Sequence, residues 1–150
     1  MNQVLVDFQD IEEPSCIVPV SEFMQKILEF EKIADWEVSI LFCSDAFIQN
    51  LNKEYRAIDV PTDVLSFSMG EWYENEKQKI YRAGDIVISM PALYRNAGEF
   101  KVDPDEELKR LLIHGILHLE GMDHETNDSS EPMLIKQEAI LREFAGSKLL

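Results

Sequence analysis

The chain has 150 residues, an apolar fraction of 45% and a formal net charge of −15. This length is typical of one domain, the apolar content is sufficient for a packed core, and no apolar run approaches the roughly 20 residues of a membrane-spanning helix. The acidic charge disfavours a general affinity for nucleic acids or anionic membranes, because both attract positive charge. We therefore expect one domain over residues 1–150, with neither DNA nor a membrane as a partner.

The N-terminal residues and the cysteines indicate the compartment. Residues 1–7 contain neither a basic segment nor a long apolar core, so no signal peptide is expected. We therefore expect a cytoplasmic location. Cys16 and Cys43 are too few and too far apart for a disulfide framework or a cysteine zinc site. They are predicted to be buried thiols.

The first part of the chain alternates predicted strands and helices. Apolar residues at Val4, Val6 and Phe8 predict a strand. A helical pattern opens at Pro19, and its apolar face consists of Phe23, Ile27, Phe30 and Ile33. Residues 38–43 form an apolar run typical of a second strand. Ser44 is a good N-cap for a helix that ends near Tyr55 and whose apolar stripe is Phe47, Ile48 and Leu51.

The middle of the chain is richer in turns and β-branched residues. Residues 56–63 predict a turn-rich connection, and residues 64–68 a third strand. The charged and polar segment 70–81 is typical of an exposed loop or hairpin. Residues 84–89 predict a fourth strand, and a short helix is expected from Pro91 to about Glu99.

The longest predicted helix begins after Asp103, which can cap it, with Pro104 at the first helical position and Glu106 completing a capping-box-like pattern. Apolar residues cover much of its circumference: Leu108, Leu111, Leu112, Ile116, Leu117 and Leu119. Such a helix is typically buried against a sheet. A last helix is predicted from about Glu131 to Phe144, with Met133, Ile140, Leu141 and Phe144 facing inward.

All three histidines of the chain lie within residues 114–124, which read HGILHLEGMDH. His114 and His118 are four residues apart and therefore share one face of the long helix. Gly121 can end this helix in a left-handed turn that returns His124 toward the other two. Histidines satisfied within the core are the alternative, but each buried ring then needs its own partners. We predict one Zn²⁺ per chain, held by these three histidines, with a fourth position for water or substrate.

The elements together predict an α+β fold with α/β layering. A small mixed sheet of four strands is expected to pack around the central metal-binding helix, with about four further helices. The order of the strands does not follow from the sequence.

The histidine spacing also matches the zincin protease pattern H-E-x-x-H-x-x-G-x-x-H at every position but one. The glutamate that activates water in those proteases is replaced by Gly115. In a peptidase hypothesis, Glu120 or Asp123 would substitute for it. Otherwise these carboxylates are solvated loop residues or contacts that orient a histidine, and the second role suits Asp123.

Three segments resemble one known family. Residues 114–124 resemble the H-G-x-L-H-L-x-G-[YH]-D-H signature of the YbeY endoribonuclease family, with Met122 as the departure. Residues 51–67, LNKEYRAIDVPTDVLSF, resemble that family's L-N-x-x-Y-R-x-x-D-x-P-T-D-V-L-S-F signature. Residues 84–89, GDIVIS, are similar to a third family segment. The three segments stand in the expected order and make the resemblance specific.

This resemblance implies a metal-dependent endoribonuclease that acts on single-stranded RNA. It also implies a role in ribosomal RNA maturation, notably at the 3′ end of the small-subunit 16S RNA, and in ribosome quality control. Ribosomal RNA and the small ribosomal subunit with its proteins are then the expected partners. The family's metal ligands correspond to His114, His118 and His124, and its functionally important arginine corresponds to Arg56. We accordingly predict His114 and Arg56 as catalytic residues.

The residue types agree with this implication. A guanidinium can bind the negative charge that phosphoryl transfer concentrates in its transition state, which makes Arg56 the candidate for phosphate binding. From the residues alone, a surface salt bridge from Arg56 to Asp59 or Asp63 is the other interpretation. The nucleophile stays open between water and the 2′-hydroxyl of the RNA itself.

Further charged residues offer a weaker hypothesis. A local basic groove would consist of Lys53, Lys77, Lys79, Arg82, Arg95, Lys101, Lys109 and Arg110. For most of them we favour ordinary solvated charges. Asp85 and Ser66 match family motifs, yet strand ends and turns explain them without a catalytic role.

Three functions therefore follow from the sequence. An endoribonuclease leads, a zinc hydrolase of another class such as a peptidase comes second, and a non-catalytic ribosome-assembly factor with a structural zinc comes third.

Overall fold

The computed structural model describes residues 1–74 and 76–150, which form a four-stranded sheet and five helices. In chain order the elements are β1 (Gln3–Gln9), α1 (Ile17–Phe30), β2 (Trp36–Cys43), α2 (Asp45–Arg56), β3 (Val64–Glu74), β4 (Lys79–Ser89), α3 (Met90–Phe100), α4 (Pro104–Leu119) and α5 (Pro132–Glu143). The predicted α+β class is confirmed. None of the helices within these residues combines the length and apolarity needed to cross a membrane.

The sheet is mixed and has the order β1-β2-β4-β3. Strands β1, β2 and β4 run parallel, while β3 pairs antiparallel with β4 and forms one edge. Register shifts interrupt both ladders of β4 close to Gly84. Gly84 has φ +147°, and a Cβ there would lie 2.0 Å from the carbonyl oxygen of Phe67. Only glycine fits at this close approach of two strands.

Helix α4 fills the core on one face of the sheet, as its apolar circumference predicts. Its residues Leu112, Ile113 and Ile116 are fully buried, as are Ile86 and Ile88 of β4. Because side chains alternate across a strand, Val87 points to the other face and packs in a second cluster with Ile48 of α2. The sheet is therefore sandwiched between α4 and α2, and the histidines of α4 lie at the border of the core.

Several boundaries differ from those predicted. The segment 70–81 contains the outer halves of β3 and β4, so the hairpin alternative was correct; residue 75 lies outside the described residues. Phe30 is 47% exposed because α1 ends there, although its ring still meets that of Phe144 edge-on. Asp103 caps α4 by accepting from the backbone N–H of Asp105, but Glu106 forms an ion pair with Arg110 rather than closing a capping box.

Both cysteines are free and buried, as predicted. Burial raises the pKa of the Cys16 thiol. Burial, together with the carboxylates of Asp45 and Asp10, raises the pKa of Cys43 to about 12. Both side chains therefore stay protonated and unreactive at neutral pH.

Candidate metal centre

The two histidines of α4 lie on one face of the helix, at the border of the buried core. Their Nε2 atoms are 2.9 Å apart, and both rings are partly buried. The i, i+4 spacing places them one above the other, as expected from helical geometry. Helix α4 is anchored along its length by apolar contacts to the sheet, so the separation of the two rings is held by the core.

The turn after α4 brings the third histidine back. Gly121 has φ +98°, and the backbone N–H of Met122 donates to the carbonyl of Leu117 at 3.0 Å, which closes the helix end. The chain then reverses, and the ring of His124 lies 5.2 Å from His114 and 5.7 Å from His118 between centroids. One ring nitrogen from each histidine lies within 4.8 Å of the others, a group that could hold a metal ion.

Each imidazole is oriented through its Nδ1 atom. Nδ1 of His114 is 2.6 Å from the Gln137 carboxamide oxygen, and that of His118 is 3.1 Å from the carbonyl of Met122. Nδ1 of His124 is 2.8 Å from the carbonyl of Thr126. An oxygen of this kind only accepts, so Nδ1 carries the proton and Nε2 keeps its lone pair. The three Nε2 atoms then each carry a lone pair and no proton, which suits the binding of one shared cation.

The surroundings of the two α4 histidines favour the neutral imidazole. Burial lowers the pKa of His114, and the hydrogen bond that His114 donates to the Gln137 oxygen only partly opposes this shift. Burial and the neighbouring ring of His114 lower the pKa of His118. A neutral imidazole is the form that binds zinc, and two nitrogens on one tetrahedral zinc lie about 3.3 Å apart. The donor set and its spacing therefore fit Zn²⁺ with a small adjustment.

Neither nearby carboxylate has the predicted orienting role. Asp123 accepts from the backbone N–H of His124 at 2.8 Å and so shapes the turn, whereas the Nδ1 atoms of the described histidines are bonded to other oxygens. Glu120 lies near Glu31 and Lys136. Its burial, and to a smaller extent repulsion from Glu31, raises the pKa of its carboxyl group. The residues that orient the rings are Gln137 and two backbone carbonyls. Gln137 was not predicted from the sequence, although it stands on the inward-facing stripe of α5, where a polar residue needs a partner.

A cleft of about 380 Å³ opens beside the histidines. Its lining includes Arg56, Ser66, Ser68, His114, His118 and Asp123. Arg56 ends α2, and its Nη2 donates to the carbonyl of Ser66 at 3.0 Å, while its guanidinium carbon is 5.9 Å from the centre of the Phe67 ring. The cleft thus brings together the two groups that the sequence suggested for catalysis.

The alternative salt bridges of Arg56 are not formed. Asp59 lies 3.8 Å from Lys53, and Asp63 accepts from the backbone N–H of Val64 and from Asn96. Within the described residues Arg56 forms no ion pair, so its guanidinium lines the cleft without a bound carboxylate.

The hypothetical basic groove is not formed, because none of its eight members, all within the described residues, lines the cleft. Five of them pair with acidic residues elsewhere: Lys53, Arg82, Arg95, Lys109 and Arg110. Ser66 lines the cleft and accepts from Arg56 through its carbonyl oxygen. Asp85 accepts from the hydroxyl of Ser39, and its β4 neighbour Ile86 points to α4, so Asp85 faces away from the histidines.

Gly115 occupies the place of the protease glutamate and has a packing role. A Cβ at this position would lie 2.7 Å from Cδ1 of Ile86 and 2.9 Å from its Cγ1. The position therefore points into the interface between α4 and β4, where a glutamate side chain does not fit. Together with the remote location of Glu120, this counts against the peptidase hypothesis.

We expect Gly115→Ala to destabilise the protein by about 1–2 kcal/mol, because the overpacking cost exceeds the gain in helix propensity. Gly98→Ala is the matched control: it is also helical, but has no atom within 4 Å of the new Cβ. That change should leave stability unchanged or raise it by up to about 1 kcal/mol. Urea unfolding of both variants measures the difference. Equal stabilities would show that α4 can move away from β4 at little cost.

Comparison with known proteins agrees with the geometry. The family model Endoribonuclease YbeY matches residues 6–145. A protein of that name from Treponema denticola is 49% identical over 151 residues, which cover 99% of this chain and 97% of the relative. Its counterpart in Treponema pallidum is 45% identical over 142 residues, or 94% and 89% of the two chains.

The fold has a match among solved structures as well. The solution structure of TM1509 from Thermotoga maritima is similar with a TM-score of 0.66 and 31% sequence identity, covering 97% of this chain and 90% of that one. Since the family model matches residues 6–145 and the Treponema denticola relative is 49% identical over 99% of this chain, the chain belongs to the Endoribonuclease YbeY family.

Proposed function

We propose that this chain is a single-strand-specific, zinc-dependent endoribonuclease that acts in ribosomal RNA maturation, including the 3′ end of 16S RNA, and in ribosome quality control. The observation that carries the proposal is the convergence of three imidazoles beside Arg56 in one cleft. The name Endoribonuclease YbeY, which its relatives bear, supports the reaction class. Because the proposed substrate is ribosomal RNA, we also propose a cytoplasmic location and the small ribosomal subunit as a partner. Residues 1–150 would form one functional domain.

His114, His118 and His124 would hold the metal through Nε2. When bound, a divalent zinc ion adds positive charge that polarises a phosphodiester oxygen. Neutral ligands leave that charge undiminished. An open cleft next to the ligands is typical of a catalytic site, whereas structural zinc sites are closed by four protein ligands. This arrangement disfavours the assembly-factor hypothesis with a purely structural metal.

Arg56 would act on the phosphate directly. Its hydrogen bond to Ser66 holds the guanidinium at the rim of the cleft, and its other N–H groups remain available to phosphate oxygens. Fixed donors of this kind stabilise charge that develops in the transition state without having to reorganise. In the proposed mechanism, Arg56 therefore binds and orients the scissile phosphate next to the histidines.

Replacing Arg56 by alanine is expected to lower kcat/KM for RNA cleavage by about 100- to 1,000-fold, as for other lost transition-state donors. Arg56→Lys should recover only part of this, since an ammonium cannot bind two oxygens side by side. Lys53→Ala, one turn earlier on α2, controls for general loss of positive charge and should change kcat/KM by less than a few-fold. If the Lys53 and Arg56 variants lose equal activity, Arg56 contributes long-range charge only.

The proposed function is tested by cleavage of end-labelled single-stranded RNA, with DNA of the same sequence and a duplex RNA as controls. Protein stripped with a chelator should be inactive and regain activity with Zn²⁺. Cleavage that persists without metal, or DNA cleaved as fast as RNA, contradicts the proposal.

A second substrate tests the ribosomal role. With a net charge of −15 and Arg56 as the sole cationic side chain among the described residues that line the cleft, free RNA should bind weakly. Immature small subunits should therefore be cleaved faster than the same RNA without proteins. Equal rates on the two substrates contradict a contribution from ribosomal proteins.

A further inference from the structure

Gln137 differs from the other groups that orient the histidines. His118 and His124 are bonded to backbone carbonyls, whereas His114 is bonded to the side chain of Gln137 on α5. Gln137 is 6% exposed and stands among buried apolar residues of α5 such as Met133 and Ile140. A buried carboxamide at this place costs free energy unless both of its ends are bonded.

Glu138 determines which end of this carboxamide faces the histidine. The amide nitrogen of Gln137 donates to Oε2 of Glu138 at 3.1 Å. Arg110 holds Glu138 from the other side, with Nε at 3.0 Å from Oε2 and Nη2 at 3.1 Å from Oε1. An ionised carboxylate cannot donate, so the NH₂ end must face Glu138. The oxygen end then faces His114.

The orientation of the amide determines the protonation of the ring. The carboxamide oxygen accepts from Nδ1–H of His114, which leaves Nε2 unprotonated and directed at the Nε2 of His118. If the amide were reversed, its NH₂ would face Nδ1, and the proton of the neutral ring would move to Nε2, the metal-facing atom. Arg110, Glu138 and Gln137 thus form a relay across α4 and α5 that selects one tautomer.

We propose that Gln137 is the positioning residue of the metal site: held by Glu138 and Arg110, it fixes His114 in the Nδ1–H tautomer and so keeps Nε2 ready as a ligand. The consequence for metal binding rests on the proposed function, whereas the tautomer is a property of the metal-free protein.

Two readouts test the proposal, and one of them needs no metal. Long-range ¹H–¹⁵N NMR spectra of the metal-free protein identify the tautomer of each histidine. Titration with Co²⁺ or Zn²⁺ against a chelator of known affinity measures metal binding. Gln137→Leu keeps the volume but removes the acceptor; we expect loss of the Nδ1–H tautomer at His114 and about 10- to 100-fold weaker metal binding, as for other residues that orient metal ligands.

Companion variants separate orientation from packing. Gln137→Glu keeps an acceptor oxygen for Nδ1 but loses the NH₂ that donates to Glu138, so it should retain the Nδ1–H tautomer at a cost in thermal stability. Glu138→Gln can donate as well as accept, so the amide of Gln137 is no longer fixed, and a mixture of tautomers is expected. Ile135→Gln, an exposed change on the same helix, should alter neither readout.

An unchanged His114 tautomer in folded Gln137→Leu overturns the proposal, and so does equal metal affinity of Gln137→Leu and wild type. If the wild type itself binds no metal, the proposed function fails. The tautomer of His114 in the metal-free protein still tests the role of Gln137. Thermal unfolding of each variant establishes that it is folded.

Discussion

His114→Ala is expected to lower RNA cleavage by about 1,000-fold and to weaken zinc binding. His114 contributes one of three converging imidazoles and also lines the cleft. A bound metal supplies several kcal/mol of charge stabilisation to the transition state, and about 4 kcal/mol corresponds to a factor near 1,000 in rate. The measurement is the single-turnover cleavage rate of an end-labelled RNA, with zinc content determined on the same preparation.

Contaminating ribonuclease is the main source of error in this measurement. Glu125→Ala, an exposed change next to His124 purified in the same way, provides the background-matched control and should cleave like the wild type. Equal cleavage by His114→Ala and wild type would assign the activity to a contaminant. Full zinc binding with lost cleavage would instead separate a catalytic role of His114 from metal binding. Loss of zinc together with global unfolding would favour a structural metal.

Lys109→Met is expected to destabilise the protein by about 3 kcal/mol, the largest effect on stability that we predict. Lys109 is 3% exposed, and its ammonium lies 3.2 Å from the carboxylate of Asp105. The same ammonium donates to the backbone carbonyls of Phe144, Ala145 and Ser147. It therefore fastens the C-terminal segment to α4, and a thioether removes the one charged donor that Asp105 and these three carbonyls share.

Urea unfolding measures the loss, and hydrogen exchange should show that residues 144–150 lose protection first. Lys53→Met is the control: its ion pair with Asp59 is long and exposed, so we expect a change below about 0.5 kcal/mol. A loss below about 1 kcal/mol for Lys109→Met would show that water replaces the ammonium readily.

Asp105 makes the same attachment depend on pH. Burial by itself raises the pKa of this carboxyl, but the backbone N–H groups of Leu149 and Leu150 and the ammonium of Lys109 bring it below its ordinary value. Since the pKa is lower in the folded state, the ionised carboxyl stabilises the fold above its ordinary pKa. This contribution is lost as the pH falls through the folded-state value.

The elements that the sequence predicted well depend on local patterns. The caps at Ser44 and Asp103, the buried helix α4 and the turn at Gly121 each follow from residues within a few positions of one another. The histidine cluster is of the same kind, because two ligands share a helix face and the third follows its C-terminal turn. The convergence of the three histidines could therefore be predicted from residues 114–124 alone.

The predictions that failed concern residues far apart in the chain. Asp123 was expected to orient a histidine, but Gln137 does so across the contact between α4 and α5. Lys109 was considered for a basic groove, with a solvated surface charge as the favoured interpretation, yet it meets a segment about 35 residues later and is buried there.

The division has a physical cause. Helix periodicity, helix caps and glycine turns depend on interactions between residues that are close together in the chain. Such local patterns are enough to predict the fold class, the buried central helix and the convergence of the three histidines. Strand order, the place of Arg56 at the cleft and the relay behind Gln137 arise when distant segments pack. A buried polar group needs a hydrogen-bond partner, and the tertiary packing decides which residue lies close enough to provide it.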